Sequence, residues 1–116
     1  MKLVQRRSPI TIGELSEMAA SMFGGLVKAV VDVRREMMVV DAELHADEEQ
    51  ALLEESSAQA DLWGINLYPE FFGTEEFVEF DSMINVRPTQ GNRSRGIDDS
   101  QLRDRIISIV GNLVRE

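Results

Sequence analysis

The chain has no cysteine, a single histidine and no apolar run longer than four residues. Without cysteine there is no disulfide, no thiolate metal site and no cysteine nucleophile, and the composition fits a reducing compartment. Without a run approaching the ~20 residues that cross a bilayer, no membrane span is expected. The opening MKLVQRRSPI carries charge but no apolar stretch of signal-peptide length behind it. A soluble, cytoplasmic protein with no membrane partner is therefore the expectation. Cations are scarce too: 12 Lys and Arg stand against 21 Asp and Glu, a formal net charge of −9. Duplex DNA is held by neutralising many phosphates, so this balance argues against it as a partner. The P-loop, the dinucleotide fingerprint, H-E-x-x-H and G-x-S-x-G are all missing. Trp63 and Tyr68, the only indole and phenol, are not interleaved with basic residues as on an RNA-binding sheet.

What is present is a chain of one-domain size. At 116 residues, 43% hydrophobic and 28% charged, residues 1–116 form a single domain able to bury a core unaided. Lys2–Gln5 reads as a short edge strand. Thr11 followed by Glu14 is a capping box that opens a helix to about Phe23. Leu15, Met18, Ala19 and Met22 give it one apolar stripe, and Gly24-Gly25 stops it. Val27–Val33 and Met37–Leu44 read as a β-hairpin on their β-branched content, with a helix over 26–40 as the rival. Residues 48–59 favour a helix capped by Asp47 that buries Leu52 and Leu53, with a strand as the alternative.

Leu62–Tyr68 is a strand with Trp63, Ile65 and Leu67 on one face, ended by Pro69. Val78, Phe80, Ile84 and Val86 alternate with polar residues, which predicts another strand, ended by Pro88. Asp98 and Gln101 resemble a capping box for a last helix whose stripe is Leu102, Ile106, Ile109, Val110 and Leu113. These elements predict an α+β fold: an antiparallel sheet with the N-terminal and C-terminal helices packed on one face, in two layers.

Asp81–Gly96 concentrates positive charge in this acidic chain. It holds Arg87, Arg93 and Arg95, with no acid between Asp81 and Asp98. Guanidinium forks match carboxylate and phosphate oxygens in a bidentate way. The leading functional reading is an anionic small ligand bound by the Arg87–Arg95 loop. Arg93 and Arg95 would clamp it, Gln90 and Asn92 would add neutral hydrogen bonds, and Asn85 and Asn66 would lie on the adjoining sheet face. The competing reading pairs these arginines with the chain's own surplus acids.

Any imidazole chemistry must use His45. If the strand before it continues, Glu43, His45 and Asp47 share one face, a candidate ligand set for a divalent ion. Alternatively, His45 is a general base with Asp47, Asp81, Glu43 or Glu79 as carboxylate partner. The plain alternative is a solvated strand face. A third functional reading is a homo-oligomer in which the arginine loop docks on an acidic face of a second copy. No cofactor is indicated.

Four segments, VKAVVDV (Val27–Val33), ELHADEE (Glu43–Glu49), DLWGINLYPE (Asp61–Glu70) and EFDSMINVRPTQGNRSRG (Glu79–Gly96), make the chain resemble an uncharacterised family. That family comprises short prokaryotic proteins assigned to a domain of unknown function. The resemblance implies a small single-domain prokaryotic protein and brings no activity, ligand or catalytic residue with it.

Overall fold

A computed structural model describes residues 1–22 and 24–116. Its strands are β1 (Lys2–Val4), β2 (Ile10–Thr11), β3 (Val27–Asp32), β4 (Met37–Val40), β5 (Leu62–Leu67), β6 (Val78–Glu79) and β7 (Val114–Arg115). The helices are α1 (Ile12–Ala20), α2 (His45–Glu54) and α3 (Ser100–Leu113). Five strands form one antiparallel sheet in the order β1-β4-β3-β5-β6. β2 and β7 pair in parallel and tie the entry of α1 to the exit of α3. No helix among the described residues is long and apolar enough to cross a membrane.

The valine-rich hairpin lies at the centre because it is apolar on both faces. Val27, Ala29 and Val31 of β3 join Trp63, Ile65 and Leu67 of β5 under Leu15 and Ala19 of α1 and Ile106, Ile109, Val110 and Leu113 of α3. Val30, Met37, Val39 and Leu62 point the other way and are covered by Leu52 of α2. The α+β class and the packing of the first and last helices on one face are as expected, and α2 adds partial cover to the second face. Asp32, fully buried, shapes the hairpin turn. Its Oδ1 accepts the Arg34 and Arg35 amides at 2.9 Å each, and its Oδ2 accepts Ser57 Oγ at 2.6 Å.

Helix entries follow their caps. Thr11 Oγ1 accepts the Glu14 amide at 3.1 Å, and Glu14 Oε1 reaches back to the Thr11 amide at 3.2 Å, so the capping box is formed. α1 ends at Ala20 with Ser21 as its cap; Phe23 lies outside the described residues. The cap of α3 is Asp99, not Asp98: Asp99 Oδ1 accepts the Gln101 amide at 2.9 Å. Asp98 instead serves the preceding loop, where its Oδ1 accepts Ser94 Oγ at 2.8 Å.

Two further sequence expectations fail. β4 stops at Val40, because Asp41 takes a positive φ of 71° and turns the chain out of the sheet. The helix that follows starts at His45, with Leu44 rather than Asp47 at its N-cap, and Leu53 is only half-buried. The strand over 78–87 is likewise only two residues long; 3-10 turns occupy Met83–Asn85 and Pro88–Gln90. There the Asn85 carboxamide stands in for a neighbouring strand. Its Oδ1 accepts the Gly64 amide at 2.8 Å, and its Nδ2 donates to the Gly64 carbonyl at 2.9 Å. Gly64 is required for this approach, since a Cβ at that position would lie 2.6 Å from the Ser82 Cβ.

Candidate ligand cleft

The Arg87–Arg95 loop is held together mostly by its own side chains. Arg87 Nε donates to the Ile84 carbonyl at 2.9 Å and Nη1 to that of Gln59 at 3.0 Å, while Nη2 meets the Leu62 carbonyl. The guanidinium lies 4.5 Å from the Trp63 ring centroid and 3.6 Å from Glu49 Oε2, a charge contact without a hydrogen bond. Burial draws the Arg87 pKa downward, against the pull of Glu49. Gln90 donates to the Ala60 carbonyl at 3.3 Å. Buried Asn92 donates to the carbonyls of Asn85, Ser94 and Gly96 and accepts the Asp98 amide at 2.8 Å.

Arg87, Gln90, Asn92 and Asn85 thus spend these groups on the protein's own backbone, and none of the four borders the cleft described next. The physical reason is that an irregular loop must satisfy its own polar backbone, and these side chains do so. Arg95 is half-exposed and pairs with Asp81, Nε to Oδ1, at 2.7 Å. Arg93 is exposed and its side chain has no partner among the described residues, but it does not border the cleft described next.

On the second sheet face, Lys28, Asn66 and Glu79 line up across β3, β5 and β6 by register. This row, the start of α2 and the Asp81–Ile84 segment enclose an open cleft of about 470 Å³. His45 and Asn66, 8% and 6% exposed, border it. Lys28, Arg95, Glu79, Asp81 and Tyr68 supply the polar wall, and Leu26, Leu44, Met83 and Ile84 supply the apolar one. Both carboxylates are engaged. Glu79 Oε1 accepts Asn66 Nδ2 at 2.9 Å and the Tyr68 hydroxyl at 3.1 Å, and Asp81 is held by Arg95. Burial, helped by Glu79, pushes the Tyr68 phenol up. Asn66 Oδ1 is buried without a hydrogen-bond partner among the described residues.

His45 Nε2 lies 2.7 Å from the Ile65 carbonyl. A carbonyl only accepts, so Nε2 carries the proton and the neutral ring keeps its lone pair on Nδ1. Burial lowers the His45 pKa, with Lys28 acting in the same direction. The Ile65 carbonyl, Asp81 and the Asn66 carboxamide oppose them. The ring is therefore a free base at neutral pH. One turn on, Glu48 is fully buried. Its Oε2 accepts the Ala42 amide at 3.0 Å, its Oε1 has no partner among the described residues, and burial pushes its pKa up to about 9.

The metal set Glu43, His45 and Asp47 does not assemble. His45 opens a helix, on which residues two apart diverge, and Glu43 and Asp47 are exposed. Among the described residues no three His, Asp or Glu side chains converge on one ion. Asp47 is likewise away from the cleft, whereas His45, Asn66, Asp81 and Glu79 border it together. Lys28 and buried Glu48 were not singled out in the sequence, and Tyr68 was noted there only as the one phenol. The alternation Val27-Lys28-Ala29 carried a signal for Lys28, because a lone lysine between core positions marks the opposite face.

Fold and cleft together define a small α+β domain with a polar, half-apolar-walled cleft on one sheet face. The chain belongs to the family described as protein of unknown function (DUF5674), which matches residues 3–113. This agrees with the resemblance carried by the four segments quoted above. No curated protein and no solved structure matches the chain.

Proposed function

We propose that the protein binds a small anionic ligand, bearing a carboxylate or phosphate group, in the cleft at the start of α2. One observation carries this reading. One oxygen of each cleft carboxylate, Glu79 Oε1 and Asp81 Oδ1, is taken by internal donors, while among the described residues Lys28 has no ion-pair partner and no side chain caps the α2 N-terminus. The Asp47 amide bonds back to the Leu44 carbonyl at 3.2 Å, but a helix N-terminus without a side-chain cap and a lysine still favour negative charge. The Leu26–Leu44–Met83 wall suits an apolar body attached to that group. The anion site thus moves from the Arg87–Arg95 loop to a cleft in which Arg95 is that loop's contribution. The test is a thermal-shift panel of small carboxylates and phosphates on wild type, Lys28→Ala and Arg93→Ala. A ligand-dependent rise lost in Lys28→Ala and kept in Arg93→Ala is expected. No shift in wild type overturns the reading.

A second reading, acid–base catalysis, is favoured by the pinned imidazole. With Nε2 committed to Ile65, Nδ1 is a weak, unprotonated base, and Asp81 and Glu79 are carboxylates on the same wall. His45→Gln would then abolish turnover of a bound ligand while leaving its affinity within a few-fold of wild type. Loss of affinity alone would support binding over catalysis.

A further inference from the structure

Arginines without an acid partner also cluster away from that loop. Gln5–Ser8 is a tight turn closed by two backbone hydrogen bonds, Gln5 amide to Ser8 carbonyl at 3.2 Å and the reverse at 2.9 Å. Its two tip residues are Arg6 and Arg7, both exposed. Because β1 pairs with β4, this tip sits beside the β3–β4 turn that carries Arg35. Arg6, Arg7 and Arg35 border one open concavity of about 410 Å³ with Gln5, Glu36 and Met37. The ion pairs among the described residues are Lys2–Glu14, Arg87–Glu49 and Arg95–Asp81, so none of these three arginines has a carboxylate partner. What sets these three apart is that they share one concavity, which brings three unpaired guanidinium groups to a single place.

Two of the three are braced by neutral groups. Arg7 Nε donates to Gln5 Oε1 at 3.1 Å, and Arg35 Nη1 donates to the Glu55 carbonyl at 2.5 Å and to Ser57 Oγ at 3.3 Å. Bracing lowers the entropy cost of presenting the remaining N–H groups to a ligand.

We propose that this concavity is a phosphate-binding site. Three guanidinium forks against one carboxylate, Glu36, exceed what a two-oxygen carboxylate can satisfy, whereas a phosphate group offers several acceptor oxygens. The phosphate belongs either to a free nucleotide or polyphosphate or to the backbone of a single strand. The site is separate from the His45 cleft, because Lys28 lies near the start of β3 and Arg35 in the turn beyond its far end, with roughly 13 Å of strand between Lys28 and Asp32, and the two sites share no lining residue.

The test is titration calorimetry of the full chain with pyrophosphate, a nucleoside triphosphate, a short single-stranded oligothymidylate and acetate. It is run on wild type, the double variant Arg6→Ala/Arg7→Ala and Arg93→Ala. Both tip residues are exposed, and circular dichroism checks that the double variant is folded. Binding of at least one phosphate probe to wild type is expected, weakened by about tenfold or more in the double variant and unchanged in Arg93→Ala. Binding of the oligonucleotide but not of pyrophosphate assigns the phosphate to a strand backbone, and the converse assigns it to a small molecule. Absence of binding by every phosphate probe, equal affinity in the double variant, or acetate binding as tightly as pyrophosphate overturns the proposal.

Discussion

The substitution Glu48→Gln turns a buried, proton-dependent contact into a proton-independent one. Glu48 has an ordinary pKa near 4.5 when unfolded and about 9 in the fold. The folded state therefore holds a proton that the unfolded chain releases above about pH 4.5, and stability falls with rising pH until the folded carboxyl also ionises near pH 9. At about 1.4 kcal/mol per pH unit, the penalty is about 3 kcal/mol at pH 7 and levels off near 6 kcal/mol above pH 9. This is a large share of the roughly 5–15 kcal/mol that holds a domain together. The carboxamide of the Glu48→Gln variant keeps an oxygen for the Ala42 amide and leaves its own NH₂ unpaired, a cost of about 1–3 kcal/mol that does not change with pH. Urea denaturation of both proteins, followed by circular dichroism, separates the two contributions. The stability difference, variant minus wild type, should climb by about 4 kcal/mol between pH 5 and pH 8, while all other titrating groups cancel. A difference that stays flat across that range refutes the buried, protonated carboxyl.

His45 acts in the opposite sense: its lowered pKa means that stability is lost as pH falls below the unfolded value near 6.5, so His45→Gln should flatten that acid limb, and proton NMR of the ring should titrate below 6.5. Gly64→Ala forces a Cβ to within 2.6 Å of Ser82 Cβ and should cost about 1–3 kcal/mol or more in denaturant melts, with partial recovery in the Gly64→Ala/Ser82→Gly pair. Arg87→Ala removes three carbonyl contacts and exposes the Trp63 face, an expected loss of about 3 kcal/mol, whereas Arg95→Ala breaks a half-exposed pair and should cost under about 1 kcal/mol. Equal losses from the two arginines would sink the division between structural and exposed guanidinium groups.

The readable parts of the fold were those whose physics is local. Thr11 and Glu14 satisfy each other within one turn, the Leu102–Leu113 stripe repeats with helical period, and Trp63, Ile65 and Leu67 alternate with strand period. The unreadable parts depend on partners far along the chain. Val78–Val86 imitates a strand because Ile84 packs under α2 and Asn85 is pulled inward by Gly64, 21 residues away. His45 looked like a strand residue because ELHADEE alternates over its first five positions, and only the positive φ at Asp41 breaks β4 early enough to let the helix begin. Of the candidate site residues, His45, Asn66, Asp81, Glu79 and Arg95 meet at one cleft, though the strand-face argument that grouped some of them was wrong in detail.

The arginine-rich stretch shows why composition misled. A loop without a ladder exposes carbonyls that need donors, and in 81–96 those donors are the Arg87 guanidinium and the Asn85 and Asn92 carboxamides. Arginine offers five N–H groups on one rigid plane, so a single residue can serve the carbonyls of Ile84, Gln59 and Leu62 at once, joining three segments with no carboxylate required. A count of charges cannot register this use, because the acceptors are backbone groups present in every sequence. Within that loop only the Arg93 side chain is left without a partner among the described residues; elsewhere, arginines at turn tips that close their own hydrogen bonds remain available to an outside anion. Arg6 and Arg7, on a turn already satisfied by Gln5 and Ser8, differ from Arg93 in sharing a concavity with a third guanidinium, that of Arg35.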